Sequence, residues 1–228
     1  MNIFLQILIG FILADLITGI FHWFEDTYLD YCIHLPIIGT IAKDNELHHY
    51  FPRSIIAYSY LDHISLSLPL TIIILIIVYI INKSIFKLYF FLASFAFFSI
   101  TSNIFHRFSH MRDCENNIVV IQLQKIGILC SHSHHSLHHT SVNDKYCVIS
   151  EYNNYILDTV YFWRILEYII YLFTGIKPNR KSNYDSYSSI HNYMHINAKL
   201  ECPDKPTMQD VNELIENLKL YKNCNKEH

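Results

Sequence analysis

The sequence contains 15 histidines, and most of them fall in short groups with the spacing of metal ligands. Residues four positions apart project from the same face of an α-helix, so His106 and His110 can reach one ion. The HHSLHH segment at residues 134–139 offers two further pairs with this spacing. Neutral imidazole binds iron, copper, nickel and zinc alike. The sequence therefore predicts a metal centre without identifying the metal.

The candidate ligands are too numerous for one ion, because a single zinc ion takes at most four protein ligands. The candidates are His22, His48, His49, His106, His110, His134, His135, His138 and His139. This excess favours a site for two metal ions. The alternative function of the HHSLHH segment is a pH-sensing surface patch or a metal-storing tract.

Three apolar stretches can deliver these histidines to one side of a membrane. A helix needs about 20 apolar residues to cross the hydrocarbon core, and residues 3–23, 64–81 and 85–105 qualify. With these three crossings, all of the grouped histidines lie on the same side of the membrane. The distribution of Lys and Arg between the two sides favours a cytosolic orientation of that face.

The composition supports this topology. Hydrophobic residues make up 51% of the chain and charged residues 16%, against about 25% charged residues in an ordinary soluble domain. The net charge of −3 supplies no global positive field for nucleic acid, so we expect no nucleic-acid partner. The six cysteines contain no CxxC pair, which predicts reduced thiols without a disulfide framework.

We therefore predict an all-α integral membrane protein with about three transmembrane helices and a helical His-rich region at the cytosolic face. Residues 155–173 are predicted to form an amphipathic interfacial helix. Trp23 and Trp163 are interpreted as interfacial anchors.

Two regions are expected along the chain. Residues 1–180 form the membrane domain, and residues 181–228 form a polar tail. In that tail, Thr207 and Asp210 predict a capping box at the start of a short amphipathic helix.

Acidic and amide residues accompany the histidines. Asp15 and Asp26 share a helical face with His22, and Asn103 shares one with His106. A charge within the hydrocarbon costs about 2.5–3.5 kcal/mol on insertion scales. Asp15 is thus expected to have a metal or a hydrogen-bonding partner on another helix.

Several separate motifs carry a resemblance to a known family. They are ADLITGIFHW, LPIIGTIAKDNELHHYFP, NIFHRFSH, HHSLHHTS and YCVISEYNNYILDTVYFWRILE followed by TGIKP. Over residues 14–180 the chain resembles the plasmanylethanolamine desaturase family, also called CarF-type lipid desaturases. The resemblance implies a membrane enzyme with a di-iron centre that introduces a double bond into a lipid chain close to the headgroup. One branch of the family makes the vinyl ether of plasmalogens, and a plant plastid branch acts on an acyl chain of phosphatidylglycerol.

Carried over to this chain, the resemblance implies that the nine candidate histidines bind two iron ions. Hydrogen-bond acceptors expected to orient the rings are Asp15, Asp26, Asn103, Asn154 and Asp158. The reaction requires O₂ and electrons from outside, because the chain carries no nucleotide-binding fingerprint. The implied donor is cytochrome b5 or a ferredoxin-like protein, the implied substrate a phospholipid, and the implied location the endoplasmic reticulum.

Departures from the family pattern leave the substrate open. Glu151 and Tyr152 stand where members often have Gly-Trp, Asn143 stands where a further histidine often follows HHxxHH, and His63 either supplies a ligand or has no role. The function that we expect is conversion of plasmanylethanolamine to plasmenylethanolamine. The alternatives are a fatty-acyl desaturase or hydroxylase acting on another lipid, and a non-catalytic metal-binding or metal-transporting membrane protein.

Overall fold

The structure, a computed structural model, describes residues 1–141, 143–179, 202 and 204–221, with side chains in the last segment described as far as residue 216. Within these residues it contains helices and no β-strand, which confirms the all-α prediction. The helices are α1 (Ile3–Tyr28), α2 (Pro36–Tyr50), α3 (Tyr60–Ile81), α4 (Tyr89–Ile100), α5 (Ser102–His110), α6 (Ile118–Lys125), α7 (His132–Ser141), α8 (Tyr152–Thr159), α9 (Phe162–Thr174) and α10 (Met208–Tyr221). Short 3₁₀ turns lie at Pro52–Ile56 and Lys83–Lys87.

Two helices, α1 and α3, are each long and apolar enough to cross a membrane, and α4 with α5 forms a third candidate span bent by 46°. The outer face of α3 exposes Ile72, Ile76 and Ile80 at 45%, 52% and 71%, as a lipid-facing surface does. The chain is an integral membrane protein. The predicted third span is broken at Thr101, whose hydroxyl donates to the Phe97 carbonyl at 2.6 Å. Such back-bonding often bends helices.

Helices α1 and α4 pack closely because small residues line their contact. A Cβ on Gly10 would lie 2.7 Å from the Phe91 carbonyl oxygen and 2.8 Å from Ser94 Cβ. The Ser94 hydroxyl donates to the Ile7 carbonyl at 2.8 Å. Small residues permit this approach of helices inside a membrane, where apolar side chains gain little by leaving lipid.

Nearer its C-terminal end, a different face of α1 holds the extended segment between α7 and α8. Asp15 is fully buried and accepts hydrogen bonds from the Ile149 N–H at 3.0 Å and the Ser150 hydroxyl at 2.7 Å. One turn further on, a Cβ on Gly19 would lie 2.7 Å from Cys147 Sγ and 3.2 Å from Cys147 Cα. The partner of Asp15 is thus a backbone segment, which α1 holds at close range.

The two tryptophans are core residues, so their interpretation as interfacial anchors was wrong. Trp23 and Trp163 are each 2% exposed, and their ring centroids stack at 6.1 Å. The indole N–H of Trp163 donates to Asp158 at 3.0 Å and that of Trp23 to Glu167 at 3.4 Å. Because both polar atoms find protein partners, neither ring needs the membrane–water interface.

The predicted helix over residues 155–173 is two helices. Tyr161 adopts a left-handed conformation with φ 55° between α8 and α9. Helix α9 keeps the predicted amphipathic character, because it buries Trp163 and Glu167 and exposes apolar side chains such as Ile165 and Leu172.

The C-terminal helix packs against α2. Its capping box is confirmed, because the Thr207 N–H donates to Asp210 at 2.7 Å and the Asp210 N–H donates to the Thr207 hydroxyl at 3.3 Å. Val211 and Leu214 are buried in one cluster with Leu47 of α2. The part of the predicted polar tail before residue 202 lies outside the described residues, and the division into two regions stays a prediction.

A disulfide joins Cys114, just after α5, to Cys202, with a Cα–Cα separation of 6.1 Å. The prediction of reduced thiols was therefore wrong for this pair, and also for Cys32, which is disulfide-bonded as well. The absence of CxxC spacing carries no information about cysteines 88 residues apart. Cys130 and Cys147 are free and buried.

A buried arginine fixes the end of α5. Arg53 is 0% exposed, and its guanidinium donates two hydrogen bonds to the Glu115 carboxylate at 2.9 and 3.0 Å. It also donates to the carbonyls of His110 and Asp204 at 3.4 and 3.2 Å. Burial alone would raise the pKa of Glu115, but the hydrogen bonds from Arg53 and from the Arg112 N–H hold that pKa below its usual value.

Substitution Gly19→Ala tests the close approach of α1 to residue 147. We expect a loss of about 1–3 kcal/mol of stability, the usual cost of overpacking, measured as a lower midpoint of thermal unfolding in detergent. The control is Ile12→Val at a lipid-facing position of the same helix, 40% exposed. Equal midpoints for the two variants would contradict the close packing at Gly19.

Substitution Arg53→Met tests the buried ion pair. Removal of one partner should cost about 3–5 kcal/mol, and addition of Glu115→Gln should restore part of that loss because no uncompensated charge remains. Lys145→Met, which breaks the more exposed pair with Asp144, should cost about 0–1 kcal/mol. A similar unfolding midpoint for Arg53→Met and Lys145→Met would show that the Arg53 pair does not stabilise this region.

Candidate metal centre

The first group of potential ligands consists of histidines from three helices, α2, α5 and α7. Its members are His48, His106, His110, His135 and His139, whose ligand atoms all lie within 4.8 Å of one another. The Nε2 atom of His106 lies 2.8 Å from that of His135 and 3.1 Å from that of His110. Five rings thus direct nitrogen atoms at one small volume.

The second group contains three histidines and one carboxylate, His22, Asp26, His49 and His138. Asp26 lies at its middle. Its carboxylate oxygens are 2.7 Å from His49 Nε2, 3.2 Å from His138 Nε2 and 3.5 Å from His22 Nε2. The sequence predicted that Asp26 orients a histidine ring. The structure instead places its carboxylate where it could bind the metal directly.

The two groups adjoin each other. The ring centroids of His22 and His106 are 5.2 Å apart, and those of His49 and His139 are 4.9 Å apart. Neighbouring residues of α2, His48 and His49, supply one ligand to each group. The arrangement therefore fits two metal ions held side by side.

Backbone carbonyls set the orientation of two rings in the second group. The Nδ1 atom of His22 lies 3.0 Å from the Tyr146 carbonyl oxygen, and that of His138 lies 2.7 Å from the Asp144 carbonyl oxygen. A carbonyl oxygen only accepts, so Nδ1 donates in both cases. When such a ring is neutral, its Nε2 lone pair faces inward and is free to bind a metal.

The unsatisfied atoms of the centre fit a bound cation. Polar atoms buried in proteins are nearly always hydrogen-bonded. Here the Nε2 atoms of His22 and His138, both ring nitrogens of His48 and Oδ2 of Asp26 have no hydrogen-bond partner within the described part of the chain. An ion between them satisfies several of these atoms at once, and imidazole with carboxylate is a donor set that suits iron.

Burial keeps the rings outside the membrane spans neutral. For His48, His135 and His139, desolvation and then the neighbouring histidines lower the pKa well below its usual value. Metal ions bind the neutral imidazole. These three rings are therefore ready to act as ligands at neutral pH.

Among the predicted ligands, His134 alone lies outside both groups. Its Nε2 atom is 3.2 Å from the Asn154 amide nitrogen, and its Nδ1 atom is 3.7 Å from Glu151. Asn154 in turn accepts from the Cys147 N–H at 2.9 Å and donates to the Cys147 carbonyl at 2.8 Å. His134 and Asn154 thus join α7 to the segment that α1 holds.

Three further predicted residues make no hydrogen bond to an imidazole in the part of the chain that the structure describes. Asp15 binds residues 149–153 as described above. The Asn103 amide donates to the Ser67 hydroxyl at 3.0 Å. Asp158 accepts from the Trp163 indole and, at 3.3 Å, from the Lys145 N–H. Their contacts position chain segments around the centre.

Sequence reasoning missed two residues that position the ligands. One is Arg53, which holds the end of α5 beside His110. The other is Glu151, whose carboxylate accepts hydrogen bonds from the N–H and the hydroxyl of Ser131. The Ser131 hydroxyl accepts from the His134 N–H at 3.1 Å and so caps α7. The sequence signal for Glu151 was that it stands, with Tyr152, where family members often have Gly-Trp.

A cavity of roughly 200 Å³ opens beside the centre. Three histidines, His22, His48 and His106, form part of its wall. Apolar side chains of α1 and α3 line its membrane side, and they include Ile17, Leu66, Leu70 and Ile74. Such a cavity can hold part of a lipid chain next to the two groups of ligands.

Comparisons with known proteins agree with this site. The lipid desaturase domain matches residues 11–181. A probable fatty acid desaturase of Acanthamoeba polyphaga mimivirus is 33% identical over 186 residues, 78% of this chain and 87% of that protein. Fatty acid desaturase 4, chloroplastic, of Arabidopsis thaliana is 31% identical, over 78% of this chain and 54% of its own length. The plasmanylethanolamine desaturase of Myxococcus xanthus is 28% identical, over 76% of this chain and 62% of its own length.

The chain therefore spans between about half and two thirds of these plant and bacterial relatives. No solved structure matches it. The matched domain contains both groups of ligands and the cavity beside them. The predicted resemblance is confirmed, and the chain belongs to the lipid desaturase domain family.

Proposed function

We propose that the protein is an O₂-dependent desaturase that introduces a double bond near the headgroup end of a phospholipid chain. The observation that supports this most directly is the pair of adjoining ligand groups beside an apolar cavity. In this proposal the first group, His48, His106, His110, His135 and His139, binds one iron ion. The second group, His22, Asp26, His49 and His138, binds the other.

When bound, the two iron ions supply the oxidant, because no protein side chain removes hydrogen from an unactivated methylene group. Reduction of O₂ to two water molecules takes four electrons, of which two come from the CH₂–CH₂ unit that becomes CH=CH. The other two come from a donor such as cytochrome b5 or a ferredoxin-like protein. The two hydrogens of the substrate and two protons from solvent complete the water.

The chain's own residues determine which carbons react. His22, His48 and His106 form part of the cavity wall, whereas Leu70 and Ile74 line it further along α3, toward the membrane interior. A lipid whose polar end stays at the interface places its first carbons beside these rings. The apolar wall also keeps water away from the reacting carbons.

For the substrate we propose plasmanylethanolamine, with plasmenylethanolamine as the product. A fatty-acyl chain is the second candidate, and it is favoured by the 33% identity to the viral protein named a probable fatty acid desaturase. Both reactions remove two hydrogens from adjacent carbons, so the same centre serves either one.

For the location we propose the endoplasmic reticulum membrane. The distribution of basic residues favours a cytosolic His-rich face. The Cys114–Cys202 disulfide follows α5 on that same face, and disulfides persist in oxidising compartments. The disulfide taken alone favours the opposite orientation, but the proposed cytochrome b5 or ferredoxin-like donor acts from the cytosol, so we propose the cytosolic orientation.

The product of the reaction tests the proposed function. Expression in a host that lacks plasmalogens should yield ether phospholipids that have lost two hydrogens and contain an acid-labile vinyl ether. His110→Ala and His138→Ala should abolish this product, while His34→Ala, at an exposed position, should retain it. A lipid that gains a hydroxyl group identifies a hydroxylase, and full activity in both centre variants would refute the assignment.

Metal content tests the two groups separately. We expect two iron ions per chain in the purified protein, measured by elemental analysis. His110→Ala and His138→Ala should each lower the iron content, because each removes a ligand from a different group. His134→Ala, one turn before His138 on the same helix but outside both groups, should keep both ions. Loss of iron from His134→Ala equal to that from His138→Ala would contradict the assignment.

A further inference from the structure

The extended segment between α7 and α8 runs along α1, from the metal centre toward the opposite end of that helix. Beside the centre, the Tyr146 carbonyl oxygen lies 3.0 Å from Nδ1 of His22. Further along, the Asn153 amide donates to the Ile12 carbonyl at 3.0 Å. His22 and Ile12 are ten residues apart on one helix, so these contacts span about 15 Å of α1.

Two membrane spans agree on the depth that this segment reaches. Ile12 is near the middle of the apolar stretch at residues 3–23 of α1. Ile149 is buried in one apolar cluster with Ala14 of α1, and Ile74 of α3 packs against that cluster. Ile74 lies about 21 Å along α3 from the interfacial end of that helix, and the hydrocarbon core is about 30 Å thick. Both helices place the segment near the level of the bilayer midplane.

The connection between α6 and α7 meets the segment at this depth. The Cys130 N–H donates to the Ile149 carbonyl at 2.8 Å, and the Glu151 N–H donates to the Gly127 carbonyl at 3.2 Å. These hydrogen bonds join two stretches of irregular backbone into one unit. We call this unit the lobe tip, and it consists of residues 126–131 and 147–156.

The polar side chains of the lobe tip find partners inside the protein. The Tyr152 hydroxyl donates to the Ile126 carbonyl at 2.7 Å, and the Tyr155 hydroxyl donates to the Glu151 carboxylate at 3.0 Å. The same carboxylate accepts from the N–H and the hydroxyl of Ser131. Irregular backbone and ionisable side chains are tolerated at membrane depth when the protein itself supplies such partners. The lobe tip meets this condition at these positions.

The outer surface of the lobe tip is apolar or aromatic. Every exposed residue in it is isoleucine or tyrosine, with exposed fractions between 37% and 64%. These residues are Ile126, Ile128, Tyr152, Tyr155 and Ile156. The surface continues onto α1, because Asn153 binds the carbonyl of Ile12, which is itself 40% exposed on the lipid-facing side of that helix.

We propose that the lobe tip is a re-entrant part of the fold, which enters the leaflet at the His-rich face and contacts lipid hydrocarbon near the bilayer midplane. The partner of this surface is therefore the bilayer itself. Val148 of the lobe tip also lines the cavity beside the centre, so the inserted lobe forms one wall between that cavity and the surrounding lipid. The inference does not depend on the reaction that the centre catalyses.

The depth of spin labels tests the insertion. Ile126 and Ile156 are replaced singly by Cys, labelled with a nitroxide and placed in phosphatidylcholine nanodiscs. Collisions of each label with O₂, which concentrates in hydrocarbon, and with a nickel chelate, which stays in water, are then measured. Ile12→Cys is the control within a span, and Glu213→Cys, at an exposed position of α10, is the control in water. Wild-type protein treated in the same way gives the background from the native cysteines.

We expect both lobe labels to collide mainly with O₂, at a depth close to that of the label at Ile12. The label at Glu213 should collide mainly with the nickel chelate. Nickel collisions at the lobe positions equal to those at Glu213 would overturn the proposal. Few collisions with either reagent would also overturn it, because protein such as a second copy of the chain would then cover the surface instead of lipid.

A second measurement uses the wild-type chain and so does not depend on the folding of a variant. Phospholipids with a photoreactive diazirine in the middle of an acyl chain are mixed into the nanodiscs and irradiated, and the adducts are mapped by mass spectrometry. We expect adducts within residues 126–128 and 152–156 as well as at the lipid-facing Ile76 of α3. Adducts on α3 without any on the lobe tip would contradict the insertion.

Discussion

The candidate metal centre buries oxygen and nitrogen atoms whose lone pairs face one another, and the packing of the helices around it depends on how these lone pairs are satisfied. Asp26 of α1 lies within 3.5 Å of rings from α1, α2 and α7, and the His106 ring of α5 lies within 3.1 Å of two others. Without a cation or a proton between them, such acceptors repel each other and lack hydrogen bonds. A metal ion bound there would turn this repulsion into an attraction that holds four helices together, and it would couple assembly of the centre to folding of the interfacial region.

The surrounding scaffold has to resist this repulsion before a metal binds. Asp15 holds residues 149–153 against α1, and this segment continues to Tyr146, whose carbonyl orients His22. Arg53 and Glu115 fix the end of α5, while Glu151 and Ser131 fix the start of α7. Each of these contacts is buried or half-buried and lies outside the two ligand groups. They fix the ends of α5 and α7 and the Tyr146 carbonyl, and so restrict where the ligand rings can lie.

The sequence predicted the helical class, the membrane spans and the segments that supply the centre, because hydropathy and the spacing of histidines are local patterns. It did not separate His134 from His138, since helical spacing places both on one face without showing which packing partner each meets. The break at Thr101, the burial of Trp23 and Trp163 and the Cys114–Cys202 disulfide also depend on distant contacts. Arg53 carried no sequence signal of its role, because its partner Glu115 is 62 residues away.

In the function that we propose, two dissimilar iron sites lie side by side, one with histidine ligands only and one that includes the Asp26 carboxylate. Mössbauer spectroscopy of protein loaded with ⁵⁷Fe tests this most directly. We expect two quadrupole doublets of equal area that arise from magnetically coupled ions, and a change confined to one doublet in Asp26→Asn. A single uncoupled iron species, or no bound iron in protein that forms the alkene product, would contradict it.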